Sequence, residues 1–410
     1  VTIVVRSASP IQARQKAIKQ LVSKLPKDRE HLDAQEFAKL HGAKAEDLAL
    51  VQRFARENGL KVVGMSQERR CVVLSGQPSK FNRAFKVNLK MFTHAGRVYR
   101  SHSEAIKIPA NLQGVIQGIL GLEDRTLMAH HAFVSGQHAI KHVDPQKVMK
   151  AYNFPAGVNG KGQSIAIIEL GGGFHRKDIL EYFRTHKMQP PKISVIEIGG
   201  QKNNPAHPEA IKKVLELMGI STAHQKALRT TNESELEHAM WTIESTLDVQ
   251  LVGSFANAAE IVIYFAPNNA QGKYHALTSA LTNSKHQHML ISCSWGAVEE
   301  DLPLDVVHIL NQVLEDSVLR GITICFSSGD KGDDPGKSGK PRAHFPATSP
   351  YVLSCGGTHW KPRTQKLHEV VWSEKLREYV VQSGGGVSRI FKEPAWQSIA
   401  GVKTKTGKRG

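Results

Sequence analysis

The sequence predicts two modules of different class: an antiparallel α+β sandwich over residues 1–122 and a doubly wound parallel α/β domain over residues 146–410, joined by a linker at 123–145. Three observations predict this. In the first third, short amphipathic segments closed by glycine or turn residues switch between helical and strand periodicity. In the second half, unbroken apolar runs alternate with longer helical stretches, as buried parallel strands and their crossover helices do. The 410 residues, 40% of them hydrophobic and 22% charged, are enough for two or three cores.

Residues 2–6 (TIVVR) read as a strand, and residues 32–42 (LDAQEFAKLHG) as a helix that starts after acidic residues and closes on glycine. AEDLALVQRFARENGL places Leu48, Val51, Phe54 and Ala55 at helical spacing, with Gly59 as the stop. KVVGMS, RRCVVLSG and KVNLKMFTHAGRVYRS read as strands, with a turn at Ala95-Gly96, and PSKFNRAF as a short helix. From residue 122 to 157 periodicity fades. His130, His131, His138 and His142 fall there without a carboxylate or cysteine scaffold for a metal, so the segment reads as a solvated, cleavable connector. Beyond it, QSIAIIEL, AEIVIYFAP, HMLISCSWG, GITICFSSGD and YVLSCGGT read as buried strands, with ESELEHAMWTIESTLDVQLVGSFA, GKYHALTSALTNS and LDVVHILNQVLEDSVLRG as helices between them.

Charge is uneven. The 54 Lys+Arg and 37 Asp+Glu give +17 with His neutral, and the stretch to Met128 holds 22 and 11 of them, net +11. These basic residues are spread through the helices and strands with no RNP or zinc-finger spacing, which sets aside nucleic acid and favours docking on an acidic surface of the same chain. No apolar run approaches the ~18 residues of a membrane span. Four cysteines in 410 residues exclude a disulfide scaffold. Cys71, Cys293, Cys325 and Cys355 lie far apart in sequence, the last three in apolar stretches, and read as small buried hydrophobes without metal-ligand spacing. The chain opens on Val1 without an initiator Met or a signal-like stretch and closes in a polar, glycine-containing stretch, so both ends read as cut.

Functional residues belong at the carboxyl ends of the parallel strands, where Glu169, Trp295 and Asp330 stand. Glu244 and Asp248 are four apart on a helix, so both carboxylates leave one face. That face is either a solvated acidic surface or, since Trp241, Leu247 and Leu251 share the helix, the border of its buried side. Asp330, in CFSSGDKGDD, is either a turn former or a carboxyl aimed at a reacting atom. Glu169 precedes three glycines, but with neither GK[ST] nor GxGxxG a nucleotide loop does not follow.

Taken in order, LDAQEFAKLHGAKAEDLALVQRFARENGLKV, VVLSGQPSKFNRAFKVNL, IPANLQGVIQGILGL, YNFPAGVNGKGQSIAIIELGGGF, ESTLD, AEIVIYFAPNN, ISCSWG, SSGD, FPATSPYVLSCGGT and GGGVSRIFKEPAWQ resemble the sedolisins, the serine-carboxyl peptidases, and among them the kumamolisin-like members with a pro-kumamolisin activation domain. The resemblance implies a subtilisin-like α/β domain preceded by a ferredoxin-like propeptide. It implies that Glu244 is the base for a nucleophilic serine, that Asp248 holds and polarises Glu244, and that Asp330 is the protonated aspartic acid of the oxyanion hole. Glu169 and Trp295 match positions that extend the carboxylate network, and Ser294 and Gly296 match the substrate-binding strand. The family's nucleophile sits in a GTS motif downstream of GGGVSRIF, beyond Gly410, as does its calcium site, so Ca2+ is an implied cofactor with no metal site within residues 1–410. GGTHW at residues 356–360 is the earlier CGGT strand, with His359 where a serine would be needed, and Ser327, Ser328, Ser383 and Ser388 read as structural. Lys331 beside Asp330 departs from the small residues common there and would oppose its protonation.

The function implied is the zymogen of an extracellular, monomeric, acid-acting endopeptidase with protein or peptide substrates, its own propeptide serving as intramolecular inhibitor and chaperone, and with no nucleic-acid or membrane partner. Acid would activate it by protonating carboxylates that pair with the basic propeptide. The rivals are a catalytically inactive sedolisin-like binding protein and a tripeptidyl-peptidase.

Overall fold

The first 127 residues build an antiparallel sheet with helices packed on it. The computed structural model describes residues 1–94, 97–127, 129–130, 144–217, 233–332, 341–360, 368–376, 379–394 and 397. In chain order β1 (Thr2–Val5), α1 (Ile11–Val22), α2 (Ala34–His41), α3 (Ala45–Glu57), β2 (Lys61–Ser66), β3 (Cys71–Ser75), α4 (Pro78–Phe85), β4 (Lys90–His94), β5 (Arg97–Ser101) and β6 (Ile116–Leu120) follow one another. The sheet order is β2-β3-β1-β6, every pair antiparallel, and β4 and β5 form a separate hairpin. A capping box starts α2: Asp33 accepts from the Gln35 and Glu36 amides while Glu36 accepts from the Asp33 amide. Leu48, Val51, Phe54 and Ala55 of α3 are buried against Ile3, Val5, Val72 and Leu74. The sequence expectation missed α1 and β6.

The first of two compact units comprises Val1–Leu127 together with Asn268–Gln287 and Pro303–Ile322, two segments that lie inside the 146–410 stretch of the sequence. Buried ion pairs join these segments. Arg14 reaches Asp316 at 2.7 Å and Glu315 at 3.1 Å, and Arg70 reaches the other oxygen of Asp316 at 2.5 Å, with all four side chains at most 7% exposed. The Tyr274 hydroxyl donates to the Arg69 carbonyl, Arg69 donates to Ser279 Oγ, and Thr2 Oγ1 meets His275 Nε2 at 2.7 Å. The basic N-terminal residues thus pair with acidic groups of the same chain.

The second unit comprises Met128–Pro267, His288–Leu302 and Thr323–Gly410. The elements from residue 129 onward are β7 (Ala129–His130), α5 (Pro145–Ala151), β8 (Ser164–Glu169), α6 (Arg176–Thr185), β9 (Lys192–Glu197), α7 (Pro208–Leu217), α8 (Glu233–Phe255), β10 (Glu260–Phe265), α9 (Ala270–Leu281), β11 (Leu290–Cys293), β12 (Trp295–Val298), α10 (Leu304–Leu319), β13 (Thr323–Ser327), β14 (His344–Phe345) and β15 (Leu353–Cys355). Six strands form a parallel sheet in the order β15-β13-β11-β8-β10-β9. From β8 the chain runs out through β9 and β10 on one side, then returns to build β11, β13 and β15 on the other. The β8/β11 boundary is therefore the switch point at which such sheets open a crevice. Ile179 and Phe183 of α6 and Val249 of α8 pack on Ile167, Ile261, Ile263 and Phe265 of the sheet.

One sequence expectation needs correction. Cys293 is buried as expected, but Cys325 is half-buried and Cys355 exposed, and parallel pairing of β13 with β15 brings these two together. Their separation in sequence hid the contact because it depends on strand order. The Ala95-Gly96 turn and His131, His138 and His142 of the linker lie outside the described residues. Among the described residues no helix is long and apolar enough to cross a membrane.

Candidate active site

β8 delivers Glu169 as its last residue, fully buried. The glycines after it bring the strand end against α8. Gly171 and Gly172 adopt φ of +101° and +67°, and a Cβ on Gly172 would lie 2.6 Å from the Trp241 carbonyl oxygen, so that approach requires glycine. The glycine run is a packing device. Along α8, Trp241, Glu244, Ser245 and Asp248 recur at the spacing of one helical face. That face is buried: Glu244 is 1% exposed and Asp248 9%, so the pair does not lie on a solvated acidic surface.

Around these carboxyls the donors are specific. Ser245 Oγ donates to Glu169 Oε2 at 3.0 Å, and Trp295 Nε1 donates to the same oxygen at 3.1 Å. Ser294 Oγ lies 2.9 and 3.0 Å from the two Asp248 oxygens and also hydrogen-bonds Glu244. The Asp248 carboxyl stands close enough to Glu169 to act on it electrostatically. Trp241 and Trp295 meet edge to face at 5.8 Å and close over the group.

Asp330 comes from the turn after β13. Ser328 N donates to the Cys355 carbonyl at 2.9 Å, Gln382 N to the Asp330 carbonyl at 2.9 Å, and Gly384 N to the Gly329 carbonyl at 2.7 Å. A Cβ on Gly384 would sit 1.9 Å from the Ser328 carbonyl oxygen, so the QSGGG segment holds the Asp330 turn by backbone contact. Glu169 Oε1, Glu244 Oε2 and Asp330 Oδ2 are buried without a hydrogen-bond partner among the described residues. Buried acceptors left open in this way mark a place for an incoming group.

The electrostatics follow from burial. Desolvation, and after it the neighbouring carboxyls, raise Glu169 and Glu244 well above the ordinary carboxylate range, with Asp330 among the groups acting on Glu244. Burial pushes Asp248 up to about 6, opposed by its bond from Ser294. Burial also pushes Asp330 up to about 7; Lys331 opposes the shift, as its charge requires, and is outweighed.

The structure therefore gathers Glu169, Glu244, Asp248, Ser294 and Trp295, with Asp330 in electrostatic range. Gly296 lies in β12, whose edge pairs with β7, Trp295 opposite His130 and Gly296 opposite Ala129. Sequence reasoning missed Ser245, whose only signal is its place between Glu244 and Asp248 on the face towards Glu169. It also missed the side-chain contact of Ser294 with Asp248. Ser383 Oγ accepts from Gly357 N, and Ser388 Oγ bonds Glu299 and the Phe391 amide, so both hydroxyls support local backbone. Among the described residues no group of three or more His, Cys, Asp or Glu side chains is placed to hold a metal ion.

Residues 1–125 match the family described as Pro-kumamolisin, activation domain. Kumamolisin of Bacillus sp. (strain MN-32) is 32% identical over 390 residues, which cover 92% of this chain and 65% of that protein. Tripeptidyl-peptidase sed5 of Aspergillus fumigatus is 21% identical over 411 residues, 93% of this chain and 67% of that protein. Human tripeptidyl-peptidase 1 is 30% identical over 203 residues, 48% of this chain and 34% of that protein. Among solved structures, Pseudomonas sedolisin, a serine-carboxyl proteinase complexed with two molecules of pseudo-iodotyrostatin, aligns with a TM-score of 0.47 at 19% identity, covering 68% of this chain and 69% of that chain. The chain thus spans about 65% of the length of kumamolisin.

Proposed function

Because the chain belongs to the sedolisin family of serine-carboxyl peptidases, we propose that it is the proform of an acid-acting endopeptidase in which Glu244 is the base, Asp248 holds and polarises it, and Asp330 donates in the oxyanion hole. The observation that carries this reading is the burial of three carboxyls, Glu169, Glu244 and Asp248, close enough to raise one another, with a fourth, Asp330, acting on Glu244. In this reading a serine beyond Gly410 attacks the peptide carbonyl carbon while Glu244 takes its proton. The carbonyl oxygen gains the electron pair and accepts a hydrogen bond from the Asp330 carboxyl. Glu244 then returns the proton to the leaving nitrogen as the C–N bond breaks, and water repeats the sequence on the acyl-enzyme. Trp295 and Ser245 hold Glu169.

The pH limits follow from the same groups. Above about 7 Asp330 ionises and its donor is lost, while in strong acid the carboxyl group takes up its last proton and the base is lost. Residues 1–125 act as the intramolecular inhibitor. Pairing of β7, from the predicted linker, with the edge of β12 supports this, because that edge is where the family resemblance puts peptide substrates. The proposed place of action is extracellular, the substrates are proteins or peptides, and the calcium that the resemblance implies would bind beyond Gly410.

The experiment is to express the full reading frame and follow cleavage of a peptide, unblocked or N-acetylated, from about pH 3 to pH 8. Cleavage of both peptides with a maximum below pH 7 is expected. Release of tripeptides from the unblocked peptide alone would replace endopeptidase by tripeptidyl-peptidase action. Maximal activity at pH 8 would overturn the acid mechanism, and no cleavage at any pH would leave a binding protein.

A further inference from the structure

Cys325 is the third residue of β13 and Cys355 the last of β15, and the parallel register sets Cys325 opposite Leu353 and Ser327 opposite Cys355. Two positions apart on neighbouring strands, the two side chains leave the same face of the sheet. Each thiol is close enough to act on the other electrostatically, and neither is in a disulfide. Diagonal neighbours on adjacent strands stand about 7–8 Å apart, and β15, three residues long and last in the order of the described sheet, can yield the shift of about 1 Å that brings such a pair within reach of a disulfide. We propose that Cys325 and Cys355 are a redox-active dithiol, which a small disulfide of the glutathione type converts to an intrachain disulfide clipping β13 to β15.

The electrons balance by thiol–disulfide exchange. The Cys355 thiolate attacks one sulfur of the oxidant, the oxidant's S–S bond breaks, and one reduced thiolate leaves. Cys325 then loses its proton to water and attacks the Cys355 sulfur of the mixed disulfide, expelling the second thiolate. Two protein thiols are oxidised and one small disulfide is reduced to two thiols. The two cysteines differ in the way this order needs. Cys355 is exposed and is pulled down to about 7 by Cys325, against the effect of burial, while Cys325, which is half-buried, is pushed up. The clip lies under the proposed oxyanion turn, because the Ser328 amide donates to the Cys355 carbonyl and Asp330 is two residues further on. The proposal does not depend on the peptidase reading, since it concerns a bond and not a rate.

The test uses the full-length protein incubated with oxidised glutathione at about pH 7.5, then unfolded, alkylated with N-ethylmaleimide and digested without reductant. A peptide linking Cys325 to Cys355 is expected, formed at least about tenfold faster than any modification of buried Cys71 or Cys293, and lost on reduction. The Cys325→Ser variant should instead hold glutathione on Cys355, and Cys355→Ser should give no linked peptide. Alkylation of both cysteines in the oxidant-treated wild type would overturn the proposal. So would a stable mixed disulfide at Cys355 of the wild type with Cys325 alkylated.

Discussion

A carboxyl group taken out of water without a counter-charge favours its neutral form, and each further carboxyl beside it adds to the effect. Glu244 shows both causes, and its Oε2 atom is buried without a hydrogen-bond partner among the described residues. Glu244→Gln preserves shape and removes titration. In the full-length protein it is expected to cut peptide hydrolysis by about 10² to 10⁴ while raising the thermal midpoint at pH 8, where the wild type must bury or expel charge. Activity within twofold of wild type would dismiss Glu244 as the base. Asp330 has a folded-state value of about 7 against an unfolded value of 3.8, so the folded form binds the extra proton. Its contribution to stability is complete below 3.8 and is lost as pH rises through 7, up to about 4 kcal/mol if no water relaxes the site. Asp330→Asn should flatten that loss in urea titrations and extend residual activity above pH 7; an unchanged fall in activity above 7 would assign the limb to another group. In the sequence, the i,i+4 spacing of Glu244 and Asp248 was legible and their burial was not. Spacing records which face two residues share, whereas burial depends on Glu169 arriving from a strand some 75 residues earlier in the chain.

The same limit operates on whole elements. α3 and the β1, β2 and β3 strands could be read because each carries its own apolar period and its own stop. α1 could not, because the stripe that it buries is Arg14, Ile18 and Leu21, with a cation in an apolar place. Arg14 is buried because Glu315 and Asp316, on α10, neutralise it, and no local pattern announces a partner that far along the chain. A buried ion group of this kind is costly to break even where its formation adds little, since the surviving partners remain without countercharge. Arg14→Ala is therefore expected to lower stability of the first unit by about 3–5 kcal/mol at neutral pH, read as earlier hydrogen exchange of α1 and α10 amides. A loss below about 1 kcal/mol would mean that Glu315 and Asp316 find water or Arg70 instead. The parallel sheet was legible through its apolar runs, while β9, an edge strand of alternating half-buried and exposed residues, left no such run.

At the scale of the whole chain the +17 charge resolves into two responses to acid of opposite sign. In the second unit the raised carboxyls favour the folded state as pH falls. The first unit carries histidines with the reverse preference. His41 is lowered by burial and by Arg14 and Arg70, with Asp316 opposing. His275 on α9, bonded to Thr2 of β1, is lowered to about 4 by burial, then by Arg69. Its folded form binds fewer protons than the unfolded chain between about 4 and 6.5, so its contribution is present above 6.5 and lost as pH falls towards 4, by up to about 3 kcal/mol. The sequence suggested that acid would act on carboxylates facing the basic module. Buried histidines beside arginines, where β1 meets α9, are further groups that acid charges unfavourably. A proform that loosens there while its carboxyl site gains its protons is suited to acid self-processing. His275→Gln keeps a donor for Thr2 and removes the titration. In the full-length protein it is expected to reduce the fall in exchange protection of the β1 and α9 amides between pH 6.5 and 4, and to move the onset of self-processing to lower pH. If protection falls with pH as steeply in the variant as in the wild type, His275 is not the group that acid addresses, and His41 is the group to replace next.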